Sequence, residues 1–415
     1  MIEFERFTLN NGLKVIFHKD ITTPMAVVNT LYDVGARDEN PDRTGFAHLF
    51  EHLMFGGSVN IPNFDTPIEQ AGGNNNAFTN NDITNYYDVL PAQNLETALW
   101  LESDRMLSLA FTDKSLEIQR NVVIEEFKQN YLNQPYGELW LELSPLAYKI
   151  HPYQWTTIGK NIDHIKDATM EEVKTFFDKH YHPSNAILSI AGNLELNQVQ
   201  DLVHKWYQDI PSKEKIIRNI PQEPKQNEFR TKTIESDVPS DLFVYAFKMP
   251  GRGEAGYFEA DLISDILGHG KSSRLHKKLK KQEDLVTEID AFITATLDTG
   301  LLIIMAYPDE EANLEQVENA IFEVLEGLKE KTIEENELVK IINKLKTSKA
   351  FEDQGIMNKS FSLGFHELMG DANGANTEVL AYEKVTANSI QNVAKTILNK
   401  ENCSRLVIKS KGNGQ

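Results

Sequence analysis

The sequence predicts an α+β fold made of two related domains of about 200 residues each. The chain has 415 residues, which is too many for one ordinary domain. The segment 210–227 contains three prolines, many Lys and Glu residues and little apolar periodicity, as is typical of a linker. Strands, then helices, then one late strand occur in that order on both sides of it. We therefore predict an N-terminal domain at 1–212, a linker at 213–225 and a C-terminal domain at 226–415.

The predicted elements of the first half rest on hydrophobic periodicity and turn signals. Asn11-Gly12 is a hairpin turn signal between two strands, and Thr44 is the predicted N-cap of an apolar helix. The predicted strands cover 4–9, 13–17, 26–32, 78–90 and 186–190, and the predicted helices cover about 46–54, 92–108, 114–132, 135–148, 169–180 and 196–207.

The second half repeats this order of elements. Its predicted strands lie near 228–234, 242–248, 285–295, 301–307 and 405–408, with helices at about 257–267 and through 313–398. The repeated order indicates two domains of the same kind.

Composition limits the classes of partner. The chain has 42 Lys and Arg against 62 Asp and Glu, a net charge of −20. Nucleic acids and anionic membranes attract clustered Lys and Arg, so we expect neither as a partner. Cys403 is the only cysteine, which excludes an intrachain disulfide and a Cys-based zinc site. The segment 1–6 lacks the pattern of a signal peptide, and no apolar run reaches the ~20 residues of a membrane helix, so we expect a cytoplasmic protein.

The segment from Phe46 to Gly57 carries the predicted metal site. On a helix, His48 and His52 stand one turn apart on one face, the spacing at which two imidazoles can reach one ion. Glu51 points to the same side, and a carboxylate beside a zinc-bound water can take its proton during attack on a carbonyl. Two histidines four residues apart also occur by chance, but a carboxylate between them in an otherwise apolar run favours a hydrolytic zinc site.

His-x-x-Glu-His is the inverzincin signature, and the whole chain resembles the pitrilysin/insulinase family of metallopeptidases. The family includes the mitochondrial processing peptidases, and the chain is similar to their β-type subunits and bacterial homologues. Further matching motifs are Asn76-Ala77-Phe78-Thr79, Asp82, Thr84, Tyr86 and Asp104-Arg105-Met106. The resemblance implies two homologous domains, each a mostly antiparallel sheet packed against helices.

The resemblance also implies a third zinc ligand on a later helix. Registering the family's Arg and apolar run on this chain places the ligand at Glu126, with one zinc ion per chain. Glu125 is the alternative, and on a helix only one of the two neighbours can point at the ion. Many relatives carry a second Glu at the position of Gln119. A glutamine there can still orient a ligand by hydrogen bonds, so we expect Gln119 to support the site without charge.

The substrate-binding residues are also assigned by resemblance. In the family, the strand that matches Asn76, Ala77 and Phe78 borders the active site, and an extended peptide pairs with it through main-chain hydrogen bonds. A Gly/Asn-rich hairpin loop without a ligand is the alternative interpretation of this segment.

An Arg and a Tyr that grip the substrate in the family's second domain are absent from this chain. Their registered positions hold Lys280 and Thr287, which cannot reproduce the planar guanidinium or the reach of a tyrosine. We therefore expect the catalytic subunit of a clam-shell heterodimer whose homologous partner supplies the pair, with a homodimer as the rival.

The resulting prediction is a zinc metalloendopeptidase that hydrolyses unfolded peptides or short protein segments by metal-activated water. The alternative is a non-catalytic assembly or scaffold subunit of a peptidase-like complex. Loss of a ligand or of Glu51 would favour the alternative, and all of them are present.

Overall fold

The computed structural model describes residues 1–412 of the chain. The first half contains β1 (Glu5–Thr8), β2 (Lys14–Lys19), β3 (Met25–Tyr32), α1 (Phe46–Phe55), α2 (Asp65–Gln70), β4 (Asn74–Thr79), β5 (Thr84–Pro91), α3 (Leu95–Leu107), α4 (Asp113–Phe127), α5 (Leu139–Ala147), α6 (Ile162–Lys166), α7 (Met170–His180), β6 (Ala186–Gly192) and α8 (Leu196–Tyr207). The second half contains β7 (Arg230–Ser236), β8 (Leu242–Met249), α9 (Tyr257–Leu267), β9 (Val286–Ile293), β10 (Gly300–Pro308), α10 (Leu314–Glu330), α11 (Glu335–Glu352), α12 (Ile356–Leu368), α13 (Gly374–Glu383), α14 (Ala387–Ile397) and β11 (Cys403–Ser410).

The two sheets share one topology. The first has six strands in the order β1-β2-β6-β3-β5-β4, and only its β2–β6 pair is parallel. The second has five strands in the order β7-β11-β8-β10-β9, and only its β7–β11 pair is parallel. Strands β7 to β11 therefore correspond one by one to β2 to β6, and the prediction of two mostly antiparallel α+β domains is confirmed.

The predicted strand 78–90 is wrong in one respect, because the chain reverses direction inside it. The amide of Asn80 donates to the carbonyl oxygen of Ile83 at 3.0 Å. The side-chain oxygen of Asn80 accepts from the amides of Asp82 and Ile83 at 2.8 and 2.9 Å. Asparagine favours such side-chain turns, so the segment forms a hairpin of β4 and β5 instead of one strand.

Contacts divide the chain into two compact units that each take segments from both halves. The first unit comprises Met1–Phe127, Trp155–Ile220 and Lys349–Glu378, and the second comprises Lys128–Gln154, Pro221–Ser348 and Val379–Gln415. Helix α12 thereby belongs to the first unit, and α5 belongs to the second. The domain boundaries at 212 and 226 stay a prediction about the two sequence halves.

In the first unit, α12 packs on β3 and β6 through polar contacts and a small apolar cluster. The hydroxyl of Ser360 donates to the Ser189 carbonyl oxygen at 2.9 Å, and the ammonium group of Lys359 lies 2.7 Å from the Asp20 carboxylate. Leu363 is fully buried in the apolar cluster.

In the second unit, both faces of the central strand β8 are buried. Phe243, Tyr245 and Phe247 of β8 belong to one apolar core. The alternating residues Val244 and Ala246 belong to another, which α5 completes. Successive side chains of a strand point to opposite faces, so the uninterrupted apolar run of β8 fits a strand that is covered on both sides.

Within residues 1–412, no helix combines the length and the apolar composition that crossing a bilayer requires.

Candidate metal centre

The start of helix α1 is capped by the side chain of Glu39, which lies in the segment before the helix. Its N-cap is Gly45, whose φ of 91° falls in the left-handed region that favours glycine. The Glu39 carboxylate accepts from the amides of Gly45 and Ala47 at 2.8 and 2.9 Å. The prediction that Thr44 caps this helix is wrong, because its hydroxyl oxygen accepts instead from the Lys160 amide at 3.0 Å.

The apolar face of α1 is buried and holds the helix in place. Leu49, Phe50 and Met54 are fully buried, and the Phe50 ring stacks on Phe176 and Tyr181 with centroids 5.2 and 5.1 Å away. The opposite face is partly exposed, and it carries the two histidines and Glu51. The side chains of the predicted site therefore stand on a helix whose orientation is set by its core contacts.

The loop that follows α1 is fixed by residues of α3. The Asp104 carboxylate accepts from the Ser58 hydroxyl and, at 2.7 Å, from the side-chain amide of Asn60. The guanidinium carbon of the buried neighbour Arg105 lies 4.3 Å from the ring centroids of both Phe64 and Tyr86. The motif Asp104-Arg105 thus secures the chain beyond the C-terminal end of the helix.

The three predicted ligands come together. His48 Nε2 lies 3.3 Å from His52 Nε2. Glu126 Oε2 lies 3.6 Å from His48 Nε2 and 3.3 Å from His52 Nε2. Among the described residues, this is the one group of three or more His, Cys, Asp or Glu side chains whose ligand atoms all lie within 4.8 Å of one another. Bonds of about 2.0–2.1 Å at tetrahedral angles separate two ligands by roughly 3.3 Å, so the donor set fits zinc.

The neighbouring residues of α4 do not join this group. Glu125 is not part of it, although it precedes Glu126 directly. Gln119 lies two turns earlier and is partly exposed, and no hydrogen bond of its side chain occurs within the described chain. Its supporting role stays a prediction.

The protonation states favour ligation and base chemistry. Burial lowers the pKa of His48 to about 4. The charge of Glu126 acts in the opposite direction, and the charge of His52 lowers the pKa further. The imidazole of His48 is therefore neutral at pH 7. A neutral imidazole is the form that binds metals. Burial raises the pKa of Glu51, and the hydroxyl and main-chain amide of Thr79 act in the opposite direction. A carboxylate with a raised pKa is a better proton acceptor.

The residues assigned to substrate binding lie on a sheet edge. Asn76, Ala77 and Phe78 are in β4, the outermost strand of the first sheet. The Phe78 side chain is 36% exposed, and its ring centroid lies 5.5 Å from that of Phe361. The free side of β4 is the kind of edge to which an extended peptide can pair.

Sequence reasoning missed two contacts that shape this site. The Thr79 hydroxyl donates to Glu51 Oε2 at 2.6 Å, and Glu39 caps α1. Thr79 belongs to the motif Asn76-Ala77-Phe78-Thr79, which supports the family resemblance, but the sequence alone assigned no function to this residue. Glu39 left no signal, because its acceptor function depends on how the preceding loop folds.

The described residues of the second domain form no matching group of ligands. Helix α9 also starts after a left-handed glycine, Gly256 with φ 92°. Counted from that cap, Glu259, Leu262 and Ile263 stand at the positions that His48, Glu51 and His52 occupy in α1. Lys280 lies on a helical turn before β9, and the hydroxyl of Thr287 donates to the Tyr307 carbonyl oxygen at 3.2 Å.

Comparisons with known proteins also distinguish a first domain that contains the candidate ligands from a second domain that lacks them. A family model described as Insulinase (Peptidase family M16) matches residues 14–159, which include the three candidate ligands. A second model, described as Peptidase M16 inactive domain, matches residues 167–345.

Individual relatives are bacterial and mitochondrial. The zinc protease PqqE of Helicobacter pylori is 31% identical over 343 residues, which cover 81% of this chain and 77% of that protein. The probable mitochondrial-processing peptidase subunit beta of Arabidopsis thaliana is 26% identical over 314 residues, which cover 72% of this chain and 58% of that protein.

Solved structures share the fold over nearly the whole chain. The crystal structure of a protease from Helicobacter pylori has a TM-score of 0.93 at 28% identity and covers 99% of this chain and 100% of that one. Pitrilysin has a TM-score of 0.82 at 20% identity, with 99% of this chain matching 45% of that one. The chain is a member of the M16 (pitrilysin/insulinase) peptidase family, and it has the length of one half of pitrilysin.

Proposed function

We propose that this chain is a zinc-dependent endopeptidase that hydrolyses unfolded peptides or short protein segments. The observation that carries the proposal is the approach of His48, His52 and Glu126 at distances that match the edges of a tetrahedral zinc site. These three side chains would hold one zinc ion per chain. Zinc in such a site supplies a Lewis acid and lowers the pKa of a bound water.

Glu51 is the proposed general base. Its carboxylate takes a proton from water as the water oxygen attacks the peptide carbonyl carbon. The proton then passes to the leaving nitrogen when the C–N bond breaks, so the products are a carboxylic acid and an amine. The raised pKa of Glu51 supports this role.

The proposed peptide site is the free edge of β4, where Asn76, Ala77 and Phe78 would pair with an extended chain. Main-chain pairing gives affinity with little dependence on side chains, which suits a peptidase for unfolded segments.

A homologous partner subunit that supplies an Arg and a Tyr belongs to the proposal, since Lys280 and Thr287 occupy the registered positions. A homodimer is the rival arrangement, and the cytoplasmic location stays a prediction. Adding a homologous partner whose Arg and Tyr are intact or mutated distinguishes the two arrangements, because only a heterodimer responds to the partner's pair.

The test is elemental analysis combined with cleavage of a peptide library, alone and with the partner. We expect about one zinc per chain, cleavage by the wild type, and for Glu51→Gln retained zinc with turnover lowered by at least roughly 100-fold. Glu5→Gln, an exposed change on β1, is the matched control. A scaffold subunit would instead function normally after Glu51→Gln.

A further inference from the structure

The last residue of β4 holds the carboxylate of the proposed base. The Thr79 hydroxyl donates to Glu51 Oε2 at 2.6 Å across a separation of 28 residues in sequence. The main-chain amide of Thr79 also faces this carboxylate. One residue of the proposed peptide-binding strand thus holds the proposed base through its hydroxyl and turns its amide towards it.

The direction of the amides along β4 explains this contact. The Asn80 amide points towards β5, where it donates to the Ile83 carbonyl oxygen. Amides alternate in direction along a strand, so those of Thr79 and Ala77 point to the free edge. The Ala77 amide donates to the side-chain oxygen of Asn76 at 2.8 Å, whereas the Thr79 amide faces the Glu51 carboxylate.

These two amides differ in how easily a peptide can reach them. Asn76 is exposed, and its side chain can leave the Ala77 amide when a peptide carbonyl replaces it. Glu51 is held on α1 beside the candidate ligand His52, and the Thr79 hydroxyl fixes its carboxylate, so a peptide carbonyl cannot replace that carboxylate in front of the Thr79 amide. Pairing of an added peptide can therefore include Ala77 and must end before Thr79.

Resting on the function proposed above, we propose that Thr79 is a positioning residue with two effects. Its hydroxyl fixes the Glu51 carboxylate through Oε2 and leaves Oε1 to receive the proton of the attacking water. The carboxylate that the hydroxyl holds in front of the Thr79 amide also ends the strand pairing at one residue, so that the next peptide bond lies over the three candidate ligands. Thr79 thereby sets both the rate and the position of cleavage.

The experiment compares Thr79→Val, Thr79→Ser and Thr8→Val in the full-length chain, with its partner where one is required. Valine replaces the hydroxyl by a methyl group and keeps the amide, and serine keeps both donors. Thr8 is an exposed threonine on β1 at the opposite edge of the same sheet, which makes its change a matched control. We measure zinc content, kcat, KM, the cleaved bonds of one defined peptide by mass spectrometry, and peptide Kd in metal-chelated protein.

For Thr79→Val we expect kcat to fall by about 10–100-fold, the range seen when a group that orients a reactive side chain is removed. Zinc content, KM and peptide Kd stay at the wild-type values, and cleavage spreads to neighbouring bonds. Thr79→Ser recovers most of kcat and the single cleavage position, and Thr8→Val behaves as the wild type.

Three outcomes separate the two levels of the proposal. A wild type that cleaves no peptide refutes the proposed function itself. An active wild type with an equally active Thr79→Val overturns the role of Thr79 alone. Equal losses in Thr79→Ser and Thr79→Val also overturn it, because strand packing and not the hydroxyl would then be responsible. Thr79→Ala removes the same hydroxyl and is the second variant should valine prevent folding.

Discussion

The cap of α1 by Glu39 allows a quantitative prediction about the stability of the metal helix. Glu39 is 5% exposed, and its two oxygens accept from the amides of Gly45 and Ala47. In Glu39→Ala both amides lose their acceptor at the buried start of the helix. A buried donor without a partner costs about 1–3 kcal/mol, so we expect the free energy of unfolding of this region to fall by about 2–4 kcal/mol.

The same change weakens the candidate metal site. His48 lies in the first turn of α1, which frays when its cap is removed. We expect zinc affinity, measured by competition with a chelator, to fall by about 10-fold or more. Urea unfolding followed by circular dichroism measures the stability, and Glu5→Ala on the exposed face of β1 is the control. Unchanged urea midpoint and zinc affinity in Glu39→Ala would refute the capping argument.

Glu39 also predicts a pH dependence. Burial raises its pKa from 4.5 to about 8, although the amides of Ala47 and Gly45 act in the opposite direction. Between these two values the folded chain binds a proton that the unfolded chain has released. The stability contributed by Glu39 is therefore complete below pH 4.5 and is lost as pH rises through 8, with a slope of at most about 1.4 kcal/mol per pH unit. Glu39→Gln removes this slope, and a slope that persists in the variant contradicts the assignment.

Three further changes test the ligand set and the docking of α12. Glu126→Gln lowers the zinc content well below one per chain, whereas its neighbour control Glu125→Gln leaves it unchanged; equal losses would contradict the choice of ligand. Burial raises the pKa of Asp20, but hydrogen bonds from Lys359 and Thr22 outweigh it and lower the pKa to about 2. The protection of the α12 amides, measured as the exchange rate relative to the intrinsic rate at the same pH, therefore falls as pH drops from 3.8 towards 2, and this fall is absent in Asp20→Asn. Leu363→Ala leaves a cavity in the cluster under α12 and lowers the free energy of unfolding by about 2–5 kcal/mol, measured by urea unfolding; a loss below 1 kcal/mol would contradict the burial.

Local patterns account for the parts of the fold that were predicted well. Periodicity located the strands of both sheets except β4, because a strand buried on both faces, such as β8, is an uninterrupted apolar run. Resemblance to a family then supplied the sheet type. The two errors arose where a side chain binds a backbone group. The Asn80 side chain turns the chain inside an apparent strand, and a left-handed glycine and Glu39 displace Thr44 from the helix cap.

The spacing along the chain is enough to pair His48 with His52, because four residues along a helix bring two side chains to the same face whatever surrounds the helix. The same spacing puts Glu51 beside them. The folded chain was needed to show that Glu126 Oε2 lies 3.3 Å from His52 Nε2 and that Thr79 holds Glu51. Those contacts join distant segments, and their distances depend on how α1, α4 and β4 pack, which no local spacing specifies.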